Sequence, residues 1–396
     1  MRTVYADNNA TTAVAPEVLE AMLPFFREHY GNPSSMHLFA VEPQEGIARA
    51  RERVAALLGA DPSEIVFTSC GTESDNAAIR GALEAQPFKR HIVTTKVEHA
   101  AVLGLCKHLQ TKGYQVTFLS VDSEGRLDLN ELEDSVTEQT AIVSVMYANN
   151  ETGVLNPIEE IGQIVKRKGI IFHTDAVQAV GKVPINLANS TIDMLSMSGH
   201  KIHAPKGVGA LFIRRGTRFE PFMVGGHQER GRRGGTENVP YIVGLGRACE
   251  LAQKDMLAEA ERERRMRDRL EREIVARIPD CRINGGKADR LPNTSNVSFE
   301  FVEGEAILLL LSQRGIAASS GSACTSGSLE PSHVLRAMGV PFTFAHGSVR
   351  ISFSRYNRED DVDIIAQALQ ETIVRLREIS PFKRQPGAAM AGRAVQ

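Results

Sequence analysis

The stretch AIVSVMYANNETGVLNPIEEIGQIVKRKGIIFHTD, residues 141–175, contains in order the patterns of a strand, a helix and a second strand. Residues 141–146 and 170–173 are short and mostly apolar, whereas residues 157–168 repeat their apolar side chains with the period of a helix. Strands that are apolar throughout are typical of a sheet covered on both faces. This stretch therefore predicts two strands of a parallel sheet joined by a crossover helix.

The same alternation continues on both sides of this stretch. Further strands are predicted at residues 65–68, 91–95, 115–119 and 208–213, and helices at residues 73–85 and 100–112. Such alternation is typical of an α/β protein with a mostly parallel sheet and helices on both faces. Sheets of this kind bind ligands at the carboxyl ends of their strands, so polar residues that follow strands are the first candidates for a site.

The pattern changes in the last third of the chain. A long helix is predicted at residues 241–278, with a charged, solvated second half, and shorter strands and helices follow it. We therefore predict a large domain at residues 15–255 and a smaller α+β domain formed by residues 1–14 and 256–380. The tail, residues 381–396, is rich in Ala and Gly and is expected to be loose.

Composition excludes several classes of protein. Hydrophobic residues make up 42% of the 396 residues and charged residues 24%, as in ordinary globular proteins. The net charge of −2 argues against general binding to nucleic acids or membrane surfaces. The apolar runs are too short for a membrane span, and the first residues have no signal-peptide pattern, so the cytoplasm is the expected location.

The cysteines point to a reduced protein. The five are widely spaced and form no CxxC pair, which excludes a disulfide framework and a zinc finger. They are Cys70, Cys106, Cys249, Cys281 and Cys324. One of them is therefore a candidate for chemistry that needs a free thiol.

Two residues that follow neighbouring strands point to a cofactor. Lys201 ends the sequence Ser-Gly-His-Lys after an apolar run, and Asp175 ends the strand predicted at residues 170–173. Pyridoxal phosphate requires a lysine that binds its aldehyde covalently and a carboxylate beside its pyridine nitrogen. A lone lysine would be read as a surface residue, but this pairing predicts a pyridoxal phosphate site.

The phosphate of such a cofactor needs an anion site of its own. Residues 69–73, Ser-Cys-Gly-Thr-Glu, follow a strand and open a helix, whose first N–H groups attract an anion. Thr72 would add a hydroxyl, and Ser198 and His200 are further donors. The alternative is ordinary capping of the helix by Ser69 or Thr72.

Other polar residues follow strands or lie near their ends. His99 could stack on a cofactor ring, and Arg350 could bind a substrate carboxylate through two hydrogen bonds, although a structural histidine and a strand-edge charge are the simpler alternatives. Asn150 and Gln178 also follow strands. The basic, glycine-rich residues 225–238 have no aromatic side chains for stacking on RNA bases, which favours a loop that completes an anionic cofactor site across a dimer interface.

Residues 319–328, SSGSACTSGS, form the most unusual segment. They include five serines, two glycines and no large apolar side chain, a composition that predicts a loop in which the Cys324 thiol can reach solvent and ionise. The alternative is a linker that contains an incidental cysteine.

Together these motifs resemble the cysteine desulfurases, which are fold-type-I pyridoxal phosphate enzymes of the aminotransferase class V group. The resemblance rests on residues 5–12 (YADNNATT), 173–178 (HTDAVQ), 198–201 (SGHK) and 319–333, and it covers all but the tail. Residues 227–233 (HQERGRR) are most similar to the nitrogen-fixation (NifS) branch. The resemblance implies an aspartate-aminotransferase-like fold, with a mostly parallel seven-stranded sheet and a smaller α+β domain.

The resemblance also implies roles for single residues. It assigns cofactor binding to Gly71, Thr72, His99, Asn150, Asp175, Gln178, Ser198, His200, Lys201 and Thr236, the last from the second subunit of a homodimer. It assigns substrate binding to Asn150 and Arg350. Catalysis is assigned to Lys201, His99 and Cys324.

The implied reaction converts L-cysteine to L-alanine and leaves the sulfur as a persulfide on Cys324. The sulfur would serve iron–sulfur cluster assembly for nitrogenase, with a scaffold protein of the NifU or IscU type as acceptor. Through the persulfide, Cys324 could also become an iron–sulfur ligand shared with that scaffold. The alternatives are a pyridoxal phosphate aminotransferase, a selenocysteine lyase, a papain-like cysteine hydrolase and a non-catalytic sulfur or metal carrier.

Overall fold

Alternating strands and helices build the protein, whose computed structural model describes residues 2–320 and 331–380. The strands are β1 (Val4–Tyr5), β2 (Ile65–Thr68), β3 (His91–Thr95), β4 (Gln115–Leu119), β5 (Thr140–Ser144), β6 (Ile171–Asp175), β7 (Met194–Ser198), β8 (Gly209–Ile213), β9 (Cys281–Ile283), β10 (Thr294–Phe299), β11 (Ile316–Ala317) and β12 (Ser348–Ser352). The helices are α1 (Pro16–Arg27), α2 (Val41–Leu58), α3 (Gly71–Glu84), α4 (Ala100–Thr111), α5 (Leu129–Ser135), α6 (Ile158–Arg167), α7 (Val239–Arg277), α8 (Gly304–Gln313), α9 (His333–Ala337), α10 (Phe342–Ala345) and α11 (Asp361–Ile379).

A seven-stranded sheet lies at the centre, in the order β2-β8-β7-β6-β5-β3-β4. Only β8 runs antiparallel to its neighbours in this sheet, so the predicted α/β fold class with a mostly parallel sheet is confirmed. The carboxyl ends of the other six strands therefore share one edge. The strand predicted at residues 141–146 ends early, because the N–H of Met146 leaves the ladder and donates to Glu98 Oε1 (2.9 Å).

Both faces of this sheet are buried, as the apolar strands predict. On β2, Ile65 and Phe67 face one apolar cluster, with residues of α1, α2, α6 and α7. Val66, between them, faces a second cluster with residues of α3 and α4. Successive side chains of a strand point to opposite faces, so a continuous apolar run serves both helical layers.

A second sheet, β12-β10-β9, is antiparallel and packs with α8, α11 and the second half of α7 around its own apolar cluster. Helix α7 is continuous through residue 255, with Leu245 in the first cluster and Leu270 in this one. The division into domains at residue 255 stays a proposal. Among the described residues, every helix is too short or too polar to cross a membrane.

Candidate active site

A cavity of about 290 Å³ contains most of the predicted site residues. Those that line it are Gly71, Thr72, His99, Asn150, Asp175, Gln178, Ser198, His200, Lys201 and Arg350. They come from different strands and loops, and many of them follow a strand of the central sheet. The rule that ligands bind at the carboxyl edge of such a sheet therefore located this cavity correctly.

Lys201 ends a short 3₁₀ turn, Gly199–Lys201, that follows β7 directly. Its Nζ donates to the backbone oxygens of Asn9 (2.6 Å) and Ala10 (2.7 Å). Both residues belong to the motif of residues 5–12, in which the sequence alone indicated no role for them. They bring the N-terminal segment to the wall of the cavity and hold the amine in place.

Asp175 is the last residue of β6 and is buried at the cavity. Burial raises the pKa of its carboxyl, while His99, the backbone N–H of Val177 and Lys201 act in the opposite direction. The Val177 N–H donates to Asp175 Oδ1 at 2.9 Å. A buried carboxyl of this kind gains most from a protonated nitrogen placed beside it, because solvent does not compete for it.

His99 caps the N-terminus of α4, where its Nδ1 accepts the N–H of Ala101 (3.2 Å). This hydrogen bond places any ring proton of the neutral form on Nε2. Burial lowers the pKa of His99, partly offset by the charge of Asp175. The neutral imidazole is thus a suitable flat surface for a cofactor ring.

The start of α3 fits an anion. Its N-cap is Cys70, which makes no side-chain capping bond in the described structure, so the alternative of capping by Ser69 or Thr72 is wrong. A Cβ on Gly71 would come within 2.7 Å of Val177 Cγ2, so the backbone can lie this close to the cavity only at a glycine. Ser198 Oγ is buried and has no hydrogen-bond partner among the described residues. Free helix N–H groups and an unpaired hydroxyl are what a phosphate requires.

His200 lines the same end of the cavity as a neutral ring. Its Nδ1 lies 3.2 Å from Thr11 Oγ1, and burial lowers its pKa to about 4. It can therefore donate one N–H to an anion without adding a charge.

Arg350 is buried on β12, so the alternative of an exposed strand-edge charge is wrong. Its Nη1 donates to the backbone oxygen of Asn150 (2.9 Å) and its Nη2 to Asp7 Oδ1 (2.8 Å). Its Nε is buried without a partner in residues 2–320 and 331–380. The guanidinium is thus held at the cavity wall with a donor still unused.

Sequence reasoning missed three buried titratable residues beside the cavity. Asp75 Oδ1 lies 3.7 Å from His173 Nε2. Burial lowers the pKa of His173 to about 3, raises that of Glu98 to about 8, and raises that of Asp75, with repulsion from Asp175 as a second cause. In the sequence, these three residues were marked only by a titratable side chain within or beside an apolar run. Burial therefore favours the neutral forms of Asp75 and Glu98 around Asp175.

Two predicted site residues are not in the described lining. Thr236 is exposed, although Arg233, three residues before it, forms an ion pair with Glu73 (2.9 Å) in the first turn of α3. Cys324 lies outside the described residues. On one side of that gap Ser319 exchanges backbone hydrogen bonds with Arg350 (2.6 and 3.2 Å), and on the other Ser332 donates to Glu151.

Known proteins with this sequence pattern and fold are numerous. The family model described as aminotransferase class-V matches residues 4–365. A cysteine desulfurase of Nostoc sp. is 63% identical over 383 residues, which is 97% of this chain and 96% of that protein. The cysteine desulfurase NifS of Azotobacter vinelandii is 56% identical over 398 residues, 99% of each chain. A solved structure titled NifS-like protein has a TM-score of 0.89 at 43% identity, covering 95% of this chain and all of the other.

These relatives confirm the resemblance that the motifs indicate. The match extends over nearly the whole length of both partners, in sequence and in structure. The chain therefore belongs to the aminotransferase class-V family and is an enzyme of that group.

Proposed function

We propose that the protein is a pyridoxal phosphate-dependent cysteine desulfurase that converts L-cysteine to L-alanine and leaves the sulfur on Cys324. One observation carries the proposal: the amine of Lys201, the buried carboxyl of Asp175 and the unpaired Ser198 hydroxyl face one cavity. The sequence similarity to cysteine desulfurases, including a NifS protein, supports the same reaction.

The cavity residues fit the cofactor group by group. Gly71, Thr72, Ser198 and His200 would hold the phosphate, with the free N–H groups at the start of α3. Asp175 would hold the pyridine nitrogen protonated, and His99 would cover one face of the ring. When bound, the cofactor supplies an electron sink for the bonds to the substrate Cα.

Lys201 has two tasks in this scheme. Its Nζ would hold the cofactor covalently, and as a free amine it would remove the proton from the substrate Cα. The oxygens of Asn9 and Ala10, which bind Nζ at 2.6 and 2.7 Å, give the displaced amine a fixed position. A fixed position matters because proton transfer requires hydrogen-bond distance.

Arg350 and Asn150 would bind the substrate carboxylate. Burial of the guanidinium strengthens its charge-assisted hydrogen bonds, because solvent does not screen them. Asp7 and the Asn150 backbone oxygen hold the guanidinium in place from the other side. This arrangement selects a substrate with a carboxylate at a fixed distance from Lys201.

Cys324 is the proposed sulfur acceptor. Its thiolate attacks the sulfur of bound L-cysteine, the S–S bond forms as the Cβ–S bond breaks, and the carbon fragment takes up a proton and leaves as L-alanine. Cys324 is four positions after Ser320 in the chain, which limits the distance between their Cα atoms to about 14 Å. The neighbouring residue, Ser319, is hydrogen-bonded to Arg350 at the cavity wall.

The described cysteines are poorer candidates for that role. Burial raises the pKa of Cys106 to about 12 and also raises the pKa values of Cys249 and Cys281, which keeps all three as thiols. Cys70 lines the cavity itself, at the start of α3. The thiolate is the reactive form, so burial disfavours three of these four as nucleophiles.

The direct test of this function is the fate of the substrate sulfur. After incubation with L-cysteine, mass spectrometry is expected to find one added sulfur on the peptide that contains Cys324, together with one L-alanine for each sulfur. The holoprotein is also expected to absorb in the visible region through the cofactor linked to Lys201. A protein that stays colourless with added pyridoxal phosphate, or alanine formed without sulfur on Cys324, would contradict the proposal.

The protein would act as a homodimer in which Thr236 completes the cavity of the partner. Thr236 is exposed in the single chain, and large apolar side chains are exposed at Tyr30, Met36, Leu38 and Phe39. Several large apolar side chains exposed within one short segment are typical of an interface. A second copy of the chain would cover these side chains and would also receive Thr236 in its cavity.

Mixing two inactive variants tests this arrangement. A Lys201→Ala chain and a Thr236→Val chain can form a mixed dimer with one intact cavity, if Thr236 acts across the interface. Unfolding and refolding an equimolar mixture is then expected to restore about a quarter of the wild-type activity, because half of the dimers are mixed and each has one intact cavity. No gain over the separate variants would show that Thr236 does not act across the interface.

The sulfur on Cys324 would pass to an iron–sulfur scaffold protein of the NifU or IscU type, in nitrogenase maturation. The 56% identity with a NifS protein supports this role. Cys324 could also bind the growing cluster through its persulfide during transfer. This chemistry needs a reduced thiol, for which the cytoplasm is the suitable compartment. Transfer of ³⁵S from the labelled protein to a purified scaffold of this type, and not to an unrelated thiol protein, is the expected result.

A further inference from the structure

The amine of Lys182 lies outside the active-site cavity, in a smaller cavity of about 30 Å³. Lys182 and Lys201 both line this smaller cavity, together with Glu259 and Glu263 of α7. A volume of this size holds one or two water molecules at most. None of the roles assigned above involves Lys182, although it comes only four residues after Gln178.

A chain of hydrogen bonds connects Lys182 to Lys201. Lys182 Nζ donates to Gln178 Oε1 (2.8 Å), and Gln178 Nε2 donates to the backbone oxygen of Asn9 (2.9 Å). The same Asn9 oxygen accepts from Lys201 Nζ at 2.6 Å. The Gln178 amide therefore lies between the two lysines and lines the active-site cavity.

The partners of Gln178 decide which way its amide faces. An ammonium group has three donors and no acceptor, so the amide atom next to Lys182 must be the oxygen. The backbone oxygen of Asn9 only accepts, so the atom next to it must be the nitrogen. Without Lys182, only the hydrogen bond to Asn9 still fixes the orientation of the amide.

A carboxyl of α7, that of Glu263, faces Lys182, and burial raises the pKa of this carboxyl to about 8. Glu263 is buried, lines the same small cavity, and attracts the amine across it. Burial lowers the pKa of Lys182 to about 7, with Lys201 and Arg350 acting in the same direction and Glu263 against it. A half-buried lysine paired with a buried glutamate contributes little net stability, so this pair is a candidate for a positioning role.

We propose that Lys182 is a positioning residue that fixes the Gln178 amide with its NH₂ group towards the cofactor. One N–H of Nε2 is bonded to Asn9, and the other remains for an acceptor oxygen of the cofactor in the cavity. This inference rests on the proposed function, because it concerns the same cofactor. It adds a residue that touches neither the cofactor nor the substrate.

The test measures binding of pyridoxal phosphate to the apoprotein by the change in absorption. Lys182→Met is expected to weaken binding about tenfold, because the cofactor loses a prepared donor. Lys182→Arg keeps a donor for Gln178 Oε1 and is expected to restore most of the affinity. Lys107→Met, the same substitution at an exposed position on α4, is the matched control and is expected to bind as the wild type does.

A double-mutant cycle separates positioning from a general loss of structure. In a Gln178→Leu background, Lys182→Met is expected to change the affinity less than about twofold, since its route to the cofactor is already absent. A tenfold loss in both backgrounds, or no loss in either, would overturn the inference. If Lys182→Met does not fold, Lys182→Met/Glu263→Gln removes the two charges together and takes its place in the cycle.

The two proposals fail in different ways. A wild-type protein that does not bind pyridoxal phosphate would refute the proposed function and this inference with it. A wild type that binds it, with Lys182→Met binding equally well, would refute only the role of Lys182.

Discussion

Replacing Lys201 with alanine is expected to lower the rate of alanine formation from L-cysteine at least about a thousandfold. In the proposed mechanism, the substitution removes both the covalent attachment of the cofactor and the base that takes the Cα proton. The other contacts in the cavity remain, so pyridoxal phosphate is expected to bind reversibly to the variant. No other described lysine lines that cavity to take over either task.

Two measurements check this result. After reduction with borohydride, mass spectrometry is expected to find the cofactor attached to Lys201 in the wild type and no attachment in Lys201→Ala. Lys107→Ala, an exposed lysine on α4, is the control and is expected to keep full activity and attachment. Activity of Lys201→Ala within tenfold of the wild type would disprove the assigned role.

Replacing Cys324 with alanine is expected to abolish sulfur transfer, with a loss of about a hundredfold or more in alanine formation. The cavity residues are unchanged in this variant, so the cofactor spectrum and its response to L-cysteine are expected to persist. The combination of a normal spectral response with no turnover distinguishes a missing sulfur acceptor from a damaged cofactor site.

The matched control for this variant is Cys281→Ala. Cys281 lies on β9, outside the lining of the active-site cavity, and burial raises the pKa of its thiol. It is expected to keep the wild-type rate. Sulfur transfer that survives in Cys324→Ala would show that this cysteine is not the sulfur acceptor.

The periodicity of the sequence located the elements that carry the site. The strands predicted at residues 65–68, 91–95 and 115–119 were correct to the residue. Such runs are visible in sequence because burial of both faces requires apolar side chains at every position. The position of Asp175 at the end of β6 and of Lys201 after β7 followed from the same pattern, since the carboxyl ends of parallel strands share one edge.

The contacts that orient the site residues were not visible in this way. Asn9 is 192 residues from the lysine whose amine it binds, and Asp7 is 343 residues from Arg350. Asp75 and Glu98 carry carboxyl side chains whose burial no local pattern indicated. Sequence spacing indicates which way a side chain points within its own strand or helix. It does not indicate which residue of a distant segment contacts that side chain.

The sequence by itself thus determined the α/β class, and it predicted most of the residues that line one cavity at the carboxyl edge of the sheet. Only the tertiary structure decided that the N-terminal segment lies under Lys201, that Arg350 is held by Asp7, and that Lys182 holds the amide of Gln178. The physical reason is one of range. Burial along a strand or helix repeats over a few residues, whereas these hydrogen bonds depend on how separate layers pack together.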